Sequence, residues 1–144
     1  MKLTKLAALF VSTSAMAVFA QSPAGLWKTI DDETGKEKAL VRISESGGVF
    51  SAKIEKLLSP DAKPDAKCEK CTDNRKDQPI VGMTIMRSVK KNDDVYDGGD
   101  ILDANNGKVY KVRLKLASDN KKLDVRGYIG TPLLGRTQTW QRVE

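Results

Sequence analysis

From Gly25 onward, apolar residues recur at every second position in almost every segment of the chain. The clearest case is a segment in which four apolar residues alternate with mostly charged ones: Tyr110, Val112, Leu114 and Leu116. A period of two is that of a β-strand with one buried and one solvated face, whereas a helix repeats about every 3.6 residues. The sequence therefore predicts an all-β protein in which helix is scarce.

Turn sequences rich in Gly, Asn and Asp separate the alternating segments. The strongest is Asn106-Gly107, because these two residue types tolerate the positive φ angles of a tight hairpin. One long loop, Ser59–Pro79, is rich in Pro, Lys and Asp and has no apolar periodicity. The remaining segments predict eight strands: Gly25–Asp31, Glu37–Glu45, Val49–Leu57, Ile80–Val89, Val95–Leu102, Lys108–Ala117, Lys122–Ile129 and Gly135–Val143.

The connections between strands favour a barrel over a sandwich. Most are short turns, which join neighbouring antiparallel strands, whereas a Greek-key sandwich needs at least one long return connection. If the first strand, which begins Gly25-Leu26-Trp27, pairs with the last one, the sheet closes. We therefore predict an all-β fold, an eight-stranded antiparallel up-and-down barrel. A sandwich is the alternative, because Ser59–Pro79 is long enough for a crossover.

The first twenty residues have the pattern of a secretory signal peptide. A basic start, Met1–Lys5, precedes a mostly apolar run, Leu6–Val18, and small residues lie before a cleavage point after Ala20. The apolar run is too short and too rich in Ser and Ala for a stable membrane span, and no cysteine lies near the cleavage point to carry a lipid. We expect residues 21–144 to form a single β-barrel domain that is periplasmic, not a lipoprotein and not membrane-spanning.

The composition excludes several classes of chemistry. The chain contains no histidine, which removes the usual general base near neutral pH, the Ser-His and Cys-His pairs and the HExxH zinc site. It also lacks a G-x-S-x-G nucleophile elbow. Basic and acidic residues are interspersed, which argues against a nucleic-acid-binding surface. We therefore predict that the protein is not an enzyme and has no cofactor and no nucleic-acid partner.

Five aspartates lie close together in the sequence: Asp93, Asp94, Asp97, Asp100 and Asp103. Their spacing departs from that of an EF-hand loop, and aspartate is common in turns and at strand edges. We interpret them as turn and edge residues and predict no metal site.

Cys68 and Cys71 form a C-x-x-C motif in the long loop. In an oxidising compartment the simplest interpretation is a structural disulfide that stiffens the loop. Two alternatives remain. A redox pair of the thioredoxin type would need a helix N-terminus beside a βαβ unit, and a zinc site would need two further ligands, which here would be carboxylates.

Four groups of motifs extend over the chain beyond residue 20. They are Gly25-x-Trp27, the Cys68-x-x-Cys71 loop, Gly98-Gly99-x-Ile101-x-Asp103-x-x-x-Gly107-Lys108-x-Tyr110, and the terminal Arg126-Gly127-Tyr128-x-Gly130 … Leu134-Gly135-Arg136 … Trp140-x-Arg142. Together they resemble the bacterial family catalogued as domain of unknown function 2147. The resemblance implies a secreted protein with a lipocalin-like barrel and no assigned biochemical role. Gly25-x-Trp27 is also similar to the first-strand signature of lipocalins, which implies that Trp27 plugs the closed end and that Arg142 lies over it.

A barrel of eight strands is wide enough to hold its own side chains or one small ligand. Period two places Arg136, Gln138, Trp140 and Arg142 on one face of the last strand, and roughly 20 Å of strand separates the two arginines. Arg136 should then lie at the open end, where its guanidinium would pair with the anionic head of a fatty-acid-like ligand. The candidate ligand contacts are Phe50, Ile85, Tyr110, Leu114, Arg136 and Gln138.

The same apolar residues would equally well fill a solid core. In that alternative the protein is a structural or interaction module of the cell envelope, and the long loop with Cys68 and Cys71 is its contact surface for a protein partner.

Overall fold

Eight antiparallel strands account for most of residues 21–144, which are the residues that the computed structural model describes. The predicted signal peptide, residues 1–20, lies outside them. Each strand pairs with the next, and the last pairs with the first, so the sheet is a closed barrel and the predicted all-β up-and-down fold is confirmed. The strands are β1 (Gly25–Ile30), β2 (Glu37–Ser46), β3 (Val49–Leu57), β4 (Thr84–Asn92), β5 (Val95–Leu102), β6 (Val109–Leu116), β7 (Lys122–Tyr128) and β8 (Gly135–Arg142).

The fourth strand is where the sequence prediction was wrong. We predicted Ile80–Val89, but β4 begins at Thr84 and continues to Asn92. Gly82 has a φ of +88°, its N–H donates to the carbonyl of Ile54 at 2.7 Å, and the chain turns there before it joins the sheet. The apolar pair at 80–81 imitates a strand start, although both residues belong to the long connection between β3 and β4.

The two ends of the barrel differ. We call the end bounded by residues 31–36, 58–83, 103–108 and 129–134 the mouth, and the opposite end the closed end. At the closed end Trp27 is fully buried, its indole N–H donates to the carbonyl of Pro23 at 2.8 Å, and the guanidinium carbon of Arg142 lies 4.3 Å from the ring centroid. The segment before β1 therefore covers this end, and the arginine holds it in place.

Arg142 joins three parts of the closed end. Its guanidinium donates to the carbonyls of Ser22 at 2.6 Å, Ala24 at 2.9 Å and Asn120 at 2.6 Å. These acceptors belong to the N-terminal segment and to the turn between β6 and β7. Gly25 has to be glycine here, because a Cβ would lie 2.3 Å from the carbonyl oxygen of Glu144.

The seam between β1 and β8 is the least regular part of the barrel. The two strands pair only at Trp27 with Arg142 and at Lys28 with Gln141, both near the closed end. Closer to the mouth, within residues 21–144, side chains rather than a backbone ladder connect them. Arg136 of β8 contacts Asp32, which follows β1.

Candidate ligand-binding cavity

The half of the barrel next to the mouth encloses a cavity of about 870 Å³. All eight strands contribute residues to its wall, which is mainly apolar. The charged side chains lie nearer the rim, and the polar Gln138 lies deeper, opposite Val125. Residues from the interior wall include Val41, Ile54, Ile85, Ile101, Val125 and Trp140. The barrel is therefore filled in its closed half and hollow in its open half.

The structure brings four of the six predicted ligand contacts to this cavity: Ile85, Tyr110, Arg136 and Gln138. Phe50 and Leu114 do not line it. Phe50 packs edge-to-face on Tyr96 with ring centroids 5.2 Å apart, and Leu114 lies opposite Tyr96 in the β5–β6 ladder, so both belong to the filled closed half. The alternating pattern identified the face of each residue but not its depth along the barrel.

Gly127, Tyr128 and Trp140 line the cavity and were not among the predicted contacts. Gly127 keeps the cavity open. A Cβ built there would lie 3.5 Å from Tyr110 and 3.9 Å from Ile101, which are ordinary contact distances, and its backbone is not in the left-handed region. A larger side chain at position 127 can therefore be accommodated by the strand and would occupy the cavity. The spacing Leu123, Val125, Gly127 continues the inward face of β7, so the sequence did indicate that position 127 faces the interior.

Arg136 lies at the rim and already has two carboxylate partners. Its Nη2 is 2.6 Å from Asp32 Oδ1 and 3.1 Å from Glu33 Oε1, and its Nε also donates to Asp32. The hydrogen bonds that Arg136 donates to Asp32 lower the pKa of Asp32 and raise the pKa of Arg136. This cluster bridges β8 and the β1–β2 turn where the two strands separate. The guanidinium atom Nη1 has no partner among residues 21–144.

The long connection, residues 58–83, forms one wall of the mouth. Cys68 and Cys71 make the predicted disulfide within it, with 5.4 Å between their Cα atoms. Both are almost fully buried, and a backbone hydrogen bond of 2.9 Å from Cys68 to Gln78 closes a small hairpin. The hairpin packs so closely on the β5–β6 turn that a Cβ on Gly107 would lie 1.9 Å from the carbonyl oxygen of Lys70. A buried disulfide in an all-β setting fits the structural interpretation, and sulfurs bonded to each other are not free to ligate zinc.

Removal of this disulfide should destabilise the protein moderately. For a loop closed over four residues the chain-entropy relation gives roughly 2 kcal/mol, so Cys68→Ala/Cys71→Ala should lower the melting temperature by several degrees and leave the barrel intact. Native protein should resist reduction by dithiothreitol, because the sulfurs are buried. Calorimetry and mass spectrometry after alkylation check both points. Rapid alkylation of both cysteines in the folded protein would contradict the structural assignment.

Arg75 anchors the same connection to the barrel. It is buried, and its Nη1 donates to the carbonyl of Thr84, the first residue of β4, at 3.0 Å. Its Nη2 is 2.6 Å from Asp73 Oδ2. The carboxylate thus neutralises a buried guanidinium at the root of the wall.

The Asp73–Arg75 pair should make stability depend on pH in acid. Side-chain hydrogen bonds from Arg75 lower the pKa of Asp73 from 3.8 to about 2 in the folded protein. A lowered folded pKa contributes stability that is fully present above the unfolded value and is lost as the pH falls through the folded value. The difference in melting temperature between wild type and Asp73→Asn should therefore be constant above about pH 5 and shrink between about pH 4 and 2. A difference that stays constant over that window would contradict the assignment.

The clustered aspartates do not converge on a common point. Asp97 lies 3.6 Å from Arg113, and Asp100 lies 3.3 Å from Arg87. Within the described part of the chain, no group of three acidic or cysteine side chains is placed to hold a metal ion. Residues 21–144 contain no helix that is long and apolar enough to cross a membrane.

An eight-stranded up-and-down barrel with a cavity at one end is the architecture of lipocalins. A solved structure, "Protein HP1028 from the human pathogen Helicobacter pylori belongs to the lipocalin family", matches with a TM-score of 0.74 over 87% of this chain and 85% of that chain, at 21% identity. At that identity the likeness concerns the fold alone. The class is therefore a lipocalin-like barrel.

The model of one bacterial family matches residues 25–142, and its description is "Uncharacterized protein conserved in bacteria (DUF2147)". The chain belongs to this family, and the resemblance seen in the terminal motifs is confirmed. Comparison with curated protein sequences gives no match.

Proposed function

We propose that this protein is a non-enzymatic, periplasmic lipocalin-like protein that binds one small apolar or amphipathic anionic molecule in the mouth cavity. The observation that carries the proposal is the cavity itself. Its volume, about 870 Å³, falls within the range of roughly 300–1,000 Å³ typical of small-molecule sites. Apolar walls with a few polar groups at the rim are also the usual composition of such sites.

The polar groups suggest how the ligand is oriented. The wall deep in the cavity is formed largely by Val41, Val125 and Trp140, which offer an apolar tail buried apolar surface, and the buried indole N–H of Trp140 has no partner among residues 21–144. Lys63 and Lys67 line the cavity from the long connection, and neither makes an ion pair within residues 21–144. Asp61, Glu69 and Asp103 line it as well, so the anionic head has to lie next to the two lysines, at the mouth, with the tail inward.

Arg136 can offer the ligand only its Nη1 atom. Asp32 and Glu33 occupy its Nε and Nη2, and their two negative charges oppose a third carboxylate nearby. We assign Arg136 a double role, in which it bridges the seam and offers Nη1 to the head group. A charge-assisted hydrogen bond contributes about 1.5–3 kcal/mol, so its loss should weaken binding at least about tenfold.

The head group can be tested with a fluorescent fatty acid and the matching fatty alcohol. The double variant Lys63→Gln/Lys67→Gln and the variant Arg136→Ala should each bind the acid less tightly than wild type, and the lysine variant should bind the alcohol equally well. Equal affinity of all three proteins for the acid would refute the anionic head. The proposal would then be limited to an uncharged apolar ligand.

The proposed compartment and the ligand can be tested together. The protein is expressed with its full sequence, extracted gently from the periplasmic fraction and measured by native mass spectrometry. We expect a chain that begins at Gln21, with one small organic molecule bound to each copy. A chain that retains residues 1–20 in the cytoplasmic fraction would refute the compartment. An apo chain recovered only with a protein partner would favour the envelope-interaction alternative.

A further inference from the structure

The turn between β7 and β8 exposes an unusual set of large apolar side chains. Ile129 is 63% exposed, Leu133 is 88% exposed and Leu134 is 73% exposed. The segment from Ile129 to Gly135 contains no charged residue. Single exposed apolar residues are common on proteins, but a contiguous group marks a surface that is covered in use.

Hydrogen bonds hold this turn in its projecting shape. Arg126 donates from Nε to the carbonyl of Pro132 at 2.6 Å and from Nη1 to the hydroxyl of Thr137 at 2.7 Å. A backbone hydrogen bond of 3.0 Å joins Leu134 to Thr131. The leucines are therefore presented outward by a braced turn.

The turn borders the mouth of the cavity. Ile129 and Leu134 line the cavity with part of their surface, whereas Leu133 does not. The exposed apolar surface is thus continuous with the apolar interior. Lys63 and Lys67 lie at the same end of the barrel on the long connection.

We propose that the mouth of this barrel docks on the surface of a phospholipid bilayer, with Ile129, Leu133 and Leu134 inserted among the lipids. Three side chains at a projecting tip bury far less than the about 800 Å² per partner of a stable protein interface. Shallow insertion into a bilayer needs no matching protein surface, and its strength scales with the buried apolar area. The loops that bound the mouth carry nine acidic and seven basic side chains, so apolar insertion rather than attraction to anionic head groups drives the docking. The inference does not require an occupied cavity, because Leu133, the most exposed of the three residues, does not line the cavity.

The test is co-sedimentation of the protein with vesicles of phosphatidylcholine. Wild type should bind, and Leu133→Asp should reduce the bound fraction at least fivefold. Since Leu133 is 88% exposed, this substitution should leave the fold and the fatty-acid affinity unchanged. Val143→Asp is the matched control, because Val143 is an exposed apolar residue that follows β8 at the closed end, and it should bind vesicles like wild type.

Two further measurements distinguish docking on a bilayer from ligand binding in the cavity and from self-association of the protein. Gly127→Phe, which fills the cavity, should bind vesicles like wild type even though it binds the fluorescent fatty acid weakly. Sedimentation of wild type without vesicles should give a monomer. The proposal is overturned if Leu133→Asp and wild type bind vesicles equally, if wild type does not bind them, or if the turn instead drives self-association that Leu133→Asp abolishes.

Discussion

Replacing Trp27 by alanine should lower the free energy of unfolding by about 3–5 kcal/mol, the usual cost of removing a large buried aromatic side chain. Trp27 is fully buried, donates to Pro23 and lies under Arg142. Its loss opens a void at the closed end and removes the surface on which the guanidinium stacks. Since small domains have only about 5–15 kcal/mol of stability, the variant should unfold in much less urea than wild type.

Two milder substitutions separate the contribution of the Trp27 side chain to stability from that of the Arg142 guanidinium. Trp27→Phe keeps most of the apolar volume and loses the bond to Pro23, so it should cost less than alanine. Arg142→Lys keeps the charge and loses the planar group that reaches Ser22, Ala24 and Asn120 together. We expect it to be destabilised by about 1–3 kcal/mol. If Trp27→Ala unfolded in the same urea concentration as wild type, the closed end would not depend on this packing.

Replacing Gly99 by alanine should be similarly destructive, at about 3 kcal/mol or more. A Cβ at Gly99 would lie 1.9 Å from the carbonyl oxygen of Arg87 and 2.8 Å from the carbonyl carbon of Ser88, both of them backbone atoms. Ser88 has a φ of +61°, and the register between β3 and β4 shifts between the pairs Phe50–Val89 and Ala52–Met86, so β4 is irregular at this point. The sheet must separate locally to admit a methyl group.

The neighbouring glycine is the matched control. Gly98 has a φ of +85°, but a Cβ there would meet nothing within 4 Å. Gly98→Ala should therefore lower the free energy of unfolding by only about 1–2 kcal/mol, because alanine is strained in the left-handed backbone conformation. Urea unfolding of both variants measures the difference. Equal losses at the two positions would show that the close approach of β4 to Gly99 is absent in solution.

The faces of the strands could be predicted from the sequence because burial alternates with period two. In the alternating segment Tyr110–Leu116, Val112 and Leu114 are fully buried, whereas Lys111 and Lys115 are exposed. The start of β4 could not be predicted, because the apolar residues at 80–81 look like a strand in the sequence. Only the hydrogen bond from the N–H of Ile80 to the carbonyl of Ala66, within the long connection, shows otherwise. The local pattern predicts which residues are buried, but it does not predict which segment they pack against.

The candidate site was harder to predict for the same reason. Depth along the barrel depends on strand tilt and register, so Phe50 and Leu114 were assigned to a cavity that lies nearer the mouth. The carboxylate partner of Arg136 is 104 residues away in the sequence, and no local spacing indicates it. Gly127 was overlooked because its contribution to the cavity is the absence of a side chain.

The central claim is that the hollow half of the barrel binds the ligand, and Gly127 tests it most directly. The measurement is a titration of wild type, Gly127→Phe and Lys122→Phe with one fluorescent fatty acid. Lys122→Phe places the same side chain on the exposed outer face of the same strand. Wild type and Lys122→Phe should bind one equivalent with equal affinity, and Gly127→Phe should bind at least tenfold more weakly while remaining folded. Equal affinity of all three proteins, or no binding by wild type, would contradict the account.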